Sequence, residues 1–139
     1  MPKLDTVTVI HTTAGKDNAG STANFELEIG RQGSNFRDSF PPHMGNREID
    51  RTAVYPFDVR GERIDSDHND FVVIMRMVDP SVDGWLPLSI YVIGQTSTGA
   101  TILLGDHPEW SEWFDRGDDP AGPEQHIISG GFSVMPGGD

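Results

Sequence analysis

Apolar and polar positions alternate with a period of two over much of this chain. Val7 and Val9 alternate with Thr6 and Thr8, and Phe25, Leu27 and Ile29 alternate with Glu26 and Glu28. This is how strands read when one face meets a core and the other meets water. Between them, residues 14–24 are small and turn-forming, among them Gly15, Asp17, Asn18 and Gly20, and the stretch is too long for a tight hairpin. Residues 52–59 predict a further strand, since Val54, Tyr55, Phe57 and Val59 are β-formers, and Pro56 assigns it to an edge or a bulge. Residues 71–78 are apolar at nearly every position apart from Arg76, as in a central strand covered on both faces. Residues 85–93 and 100–104 flank a turn at 95–99 and predict a hairpin, and residues 126–128 predict a short last strand. Residues 31–51, where Phe36, Phe40, Pro41, Pro42 and Met44 interrupt polar positions, hold no period and predict no element.

One segment departs from the strand pattern. Asp106, Pro108 and Glu109 resemble a helix start, and Trp110, Trp113 and Phe114 fall at i, i+3 and i+4 before Gly117, which predicts one short helical turn near Trp110. No long amphipathic helix and no internal repeat is present. The expectation is an all-β domain of seven or eight strands, a single unit over residues 1–139.

Three segments together resemble the PLAT/LH2 (lipoxygenase homology) domain family, in particular its stand-alone bacterial members. The first is Thr6-Val7-Thr8-Val9-Ile10 with the loop through Asp17-Asn18-Ala19-Gly20-Ser21-Thr22 and the strand at Phe25. The second is Asp83-Gly84-Trp85 with Leu86, Leu88, Ile90 and Val92, and the third runs from Ile102 towards Trp110. The resemblance implies an antiparallel β-sandwich of two roughly four-stranded sheets. It also implies recognition of lipid or protein by loops and faces of the sandwich, sometimes with calcium, and a core role for Trp85. Thr22 stands where calcium-binding members often carry an Asp, and a hydroxyl is a poor substitute for a carboxylate on this hard cation. Asp17 and Asn18 still offer oxygens.

The densest oxygen cluster is Asp65, Asp67, Asn69 and Asp70. It fails the EF-hand template, with Asp70 where Gly is needed and Arg76 where a chelating Glu belongs. It reads either as a solvated acidic turn or, joined with Asp17 and Asn18, as a Ca²⁺ site. Trp110, Trp113 and Phe114, with Phe36 and Phe40, form the candidate partner surface. Asp106, Glu109, Glu112 and Asp115 around them oppose docking on anionic headgroups.

Charge sharpens this picture. Asp and Glu number 22 against 10 Lys and Arg, a net charge of -12, which argues against nucleic acid. It also bars an anionic membrane unless a divalent cation bridges the two surfaces. No apolar run approaches the length that crosses a bilayer, and no signal peptide is visible. The absence of cysteine fits a reducing cytoplasm, although a processed secreted protein would look the same. The five histidines show no HExxH or paired spacing. No Gly-x-Ser-x-Gly elbow occurs, and Gly15 to Gly20 lacks the Gly-Lys-Ser/Thr ending of a phosphate loop. The expected function is therefore non-enzymatic binding of a protein partner or a second copy, or calcium-assisted lipid docking. The alternatives are a carbohydrate-binding jelly roll using Trp110 and Trp113, and a structural subunit of a larger assembly.

Overall fold

The computed structural model describes residues 3–15, 24–30, 36–40, 51–62, 64–65, 71–78, 84–115 and 122–130. Its strands are β1 Leu4–Thr13, β2 Phe25–Gly30, β3 Phe36–Ser39, β4 Thr52–Asp58, β5 Val72–Met77, β6 Pro87–Thr96, β7 Thr101–His107 and β8 Gln125–Ile127. They make two four-stranded sheets, a first in the order β4-β1-β6-β7 and a second in the order β3-β2-β5-β8, with antiparallel pairing between neighbours. The predicted all-β antiparallel sandwich is the fold observed. The one described helical element is a 3-10 turn at Arg60–Glu62, and among the described residues no helix is long and apolar enough to cross a membrane.

The period-two pattern builds the core. On β1 the side chains of Val7, Val9, His11 and Thr13 are buried while Thr8, Ile10 and Thr12 lie on the other face. β2 contributes Phe25, Leu27 and Ile29, and Trp85, Ile90, Val92 and Phe114 join them. Burying each such large apolar side chain contributes about 1.5–3 kcal/mol. Trp85 has no exposed surface, and its Nε1–H donates to Thr13 Oγ1 at 2.8 Å, so the one polar atom of the ring is satisfied inside. β5 is buried from Val73 to Met75, as its continuous apolar run predicts. β4 lies at the edge of the first sheet, with Pro56 opposite Thr8, where a residue without an N–H is tolerated. The β6–β7 hairpin turns through Gly99, whose φ of 90° lies in the left-handed region that glycine adopts freely.

Two expectations are corrected. Residues 36–39, read as patternless, form β3 against β2, and its Arg37 reaches Glu28 at 3.0 Å. The helical turn near Trp110 does not form. β7 runs on to His107, and Phe114 instead makes an isolated antiparallel bridge with Trp85, with both N–H···O distances at 2.8 Å. Pairing with the core tryptophan outweighs a short local capping signal.

The segment after β8 joins the sheets. Ile128 N–H donates to Val73 O at 2.8 Å on the second sheet. Gly130 N–H donates to Leu104 O at 2.8 Å, and Asp106 N–H to Gly130 O at 3.0 Å, on the first. This approach is close enough that a Cβ on Gly105 would lie 2.2 Å from Ile128 O.

Candidate functional site

The strap just described brings β8 beside the segment that leaves β7. Between them lies an open cleft of about 600 Å³, lined by Asp106, His107, Glu109, Trp110, Glu112 and His126 together with Pro108, Ser111, Gln125 and Ile127. Each part is held by the backbone. Trp110 N–H donates to Leu88 O at 2.9 Å, the Trp85–Phe114 bridge fixes the far end, and Asp115 N–H donates to Pro123 O at 3.1 Å.

Rings continue from the core into the cleft. Tyr55 lies 5.3 Å from His11, His11 4.7 Å from Trp85, and Trp85 5.4 Å from Phe114. Trp110 then stacks on Phe114 at 5.9 Å with an interplanar angle of 18°, and His107 and His126 approach Trp110 edge-on at 4.9 and 5.3 Å. The indole N–H of Trp110 donates to Glu112 O at 2.7 Å. Trp110 is thus half-buried and anchored at its ring and at its nitrogen.

Both histidines spend Nε2 on a main-chain carbonyl. His107 Nε2–H donates to Ile128 O at 3.0 Å, and His126 Nε2–H to Trp113 O at 2.8 Å. A carbonyl accepts only, so each neutral ring carries its proton on Nε2 and leaves Nδ1 as an acceptor. His126 Nδ1 lies 4.0 Å from Glu112 Oε1. Asp106, Glu109 and Glu112 supply three carboxylates to the lining, and among the described residues no Lys or Arg lines it.

The predicted partner surface is divided by the structure. Trp110 lines the cleft, and Trp113 is half-buried against Ala14 and Leu86. Phe114 is corrected to a core residue with no exposed surface, because its ring lies between Trp85, Phe25 and Trp110. Phe40 is likewise buried, with its ring 5.1 Å from both Tyr55 and Phe57, and Phe36 is half-buried against Phe57. Trp85 is the core residue expected. Of the candidate calcium ligands only Asp65 is described, half-buried with Oδ2 3.8 Å from Lys3 Nζ. Asp17, Asn18, Asp67, Asn69 and Asp70 lie outside the described residues. Among the described residues no three His, Asp or Glu side chains are grouped to hold a metal. His107 and His126 were not singled out by the sequence, since only the crossing between sheets makes them neighbours.

The sequence matches no protein-family model and no curated protein. Solved structures with this fold include the alpha-toxin of Clostridium absonum, 15% identical with a TM-score of 0.65, matched over 92% of this chain and 32% of the toxin. The alpha-toxin of an avian strain of Clostridium perfringens is 18% identical with a TM-score of 0.66, over 91% of this chain and 32% of the toxin. Coral 8R-lipoxygenase, described as activated by calcium through a C2-like domain, is 12% identical with a TM-score of 0.60, over 96% of this chain and 18% of that enzyme. The chain thus spans a third or less of each of these proteins. At such identities the likeness is one of fold, and the fold is a PLAT-like β-sandwich.

Proposed function

We propose that this chain is a non-enzymatic binding module that recognises a protein partner through the Trp110 cleft. The observation that carries the reading is a half-buried tryptophan, braced from the core by Phe114 and opening onto a polar cleft of about 600 Å³. An aromatic anchor within a polar rim is how protein recognition surfaces are built. The net charge of -12 ranks protein above anionic lipid. The test is affinity capture from the source cell with the wild type and Trp110→Ala. A partner held by the wild type and lost by a variant with unchanged secondary structure supports the reading. Glycan-array binding lost in Trp110→Ala would replace the protein partner with a carbohydrate.

A second reading, self-assembly, is favoured by the outer face of the first sheet. Val54, Ile10 and Tyr91 lie side by side across β4, β1 and β6, and Leu103 lies opposite Ile93. Val54 is 58% exposed and Leu103 44%. On so acidic a chain, two copies repel least where they meet over its apolar patches, and here Asp58 and Asp106 stand at the margins, opposite Thr6 and Tyr91. Light scattering on a sizing column decides it: a 15.3 kDa monomer at high concentration removes the reading.

A further inference from the structure

Two acceptors face each other in the cleft, and among the described residues no donor stands between them. The side chain of His126 is only 9% exposed, and its Nε2–H is committed to Trp113 O. In the neutral ring its Nδ1 therefore presents a lone pair, and 4.0 Å away stands the carboxylate oxygen Oε1 of Glu112. That separation is too long for a hydrogen bond and suits one donor group placed within reach of both. The rest of the lining has the same bias. His107 is fixed in the same tautomer by Ile128 O, and Asp106 and Glu109 bring carboxylates. Trp110 adds an aromatic ring beside both histidines, against which the stem of a long side chain packs. A sugar hydroxyl both donates and accepts, so a lining made mainly of acceptors suits it less than an ammonium or guanidinium, which only donates.

We infer that the cleft receives the cationic side chain of a lysine or arginine from the partner protein, hydrogen-bonded between His126 Nδ1 and Glu112 and set against Trp110. The inference rests on the binding-module reading and names what that module reads. The overall charge of -12 draws a basic partner towards the molecule, and the cleft supplies the specific contact.

The experiment is a titration of the isotopically labelled full chain, followed by amide and indole N–H resonances, with three blocked tripeptides: Gly-Arg-Gly, Gly-Lys-Gly and the neutral Gly-Gln-Gly. The expected result is saturable shifts of Trp110 Nε1–H, Glu112 and His126 with the two basic peptides, about tenfold weaker with the neutral one. The shifts weaken as salt is raised. Glu112→Gln keeps the melting temperature and weakens the basic peptides roughly threefold to fivefold, with no effect on the neutral one. Equal binding of all three peptides, shifts that bypass the cleft, or indifference to Glu112→Gln overturns the inference. The module reading is judged separately: a captured partner that depends on Trp110 but is not displaced by the arginine peptide keeps the module and removes its cationic ligand, whereas no Trp110-dependent partner removes the module.

Discussion

The imidazole of His107, at the end of β7, donates its Nε2–H to the carbonyl of Ile128 at 3.0 Å, while Ile128 N–H bonds to Val73 on the other sheet. One residue is therefore tied to both layers of the sandwich, beneath the floor of the cleft. The approach requires Gly105, where a Cβ would meet Ile128 O at 2.2 Å. Gly105→Ala is expected to destabilise by about 2–4 kcal/mol in urea unfolding, because the obstacle is backbone and cannot swing aside. Gly61→Ala, where a Cβ meets nothing within 4 Å, is the control and should leave stability within about 0.5 kcal/mol.

Phe114 and Trp110 were grouped by the sequence and are separated by burial. Phe114→Ala empties a site closed on all sides and is expected to cost about 3–5 kcal/mol. Trp110→Ala removes a half-buried ring from the rim and is expected to cost about 2 kcal/mol or less. Chemical denaturation of the two variants compares them directly, and equal losses would contradict the assignment of Trp110 to the surface.

Charge pairs on the two sheets should differ as sharply. Glu28 is 3% exposed and holds Arg37 at 3.0 Å and Arg76 at 3.1 Å, while Arg76 also meets Glu26 at 2.9 Å. Glu28→Ala takes one carboxylate from the partly buried Arg76, which keeps Glu26, and is expected to cost about 1–3 kcal/mol in urea unfolding.

Asp58 and Arg60 form an exposed pair. The side-chain hydrogen bonds from Arg60, at 3.1 and 3.3 Å, and its main-chain N–H hold the Asp58 carboxyl below the usual carboxylate range. Because the value is lowered on folding, whatever the pair adds to stability is present at neutral pH and fades as pH falls through that lowered value. A carbon-13 titration should place Asp58 below a free aspartate and return it to the ordinary range in Arg60→Ala.

Calcium is tested at the loops rather than at the cleft. If Asp17, Asn18 and the turn from Asp65 to Asp70 converge on calcium, a melt with calcium, magnesium and EDTA shows a calcium-specific rise of several degrees that is lost in Asp67→Asn, since a ligand bound only by the folded state stabilises it. Vesicles of anionic lipid should then co-sediment with the protein in calcium alone. Identical melts in all three conditions would remove both the metal and the lipid.

What the sequence could reveal followed from how local each signal was. The alternation at Phe25, Leu27 and Ile29 and the apolar run at Val73–Met75 are carried by neighbouring residues, and both became strands in the second sheet. β3 escaped because it faces water over most of its four residues and exists through pairing with β2. The i, i+3, i+4 spacing of Trp110, Trp113 and Phe114 pointed to a helix, but these rings are placed by contacts with Trp85, Leu86 and Phe25, which are distant in sequence from them. The cleft was illegible for the same reason, since His107 and His126 lie on different sheets.

The borders of the two sheets bear on how the protein behaves when concentrated. β4 carries Pro56, β3 is four residues long with Arg37 and Asp38 in it, β8 is three residues long, and β7 is irregular opposite Val92 and Ile93 and bridged by Gly130. Each border denies a foreign strand a long, regular row of free N–H and C=O groups. Among the described residues these borders offer little template for fibril growth by strand addition, which leaves association of folded copies to the faces of the sheets rather than to their edges.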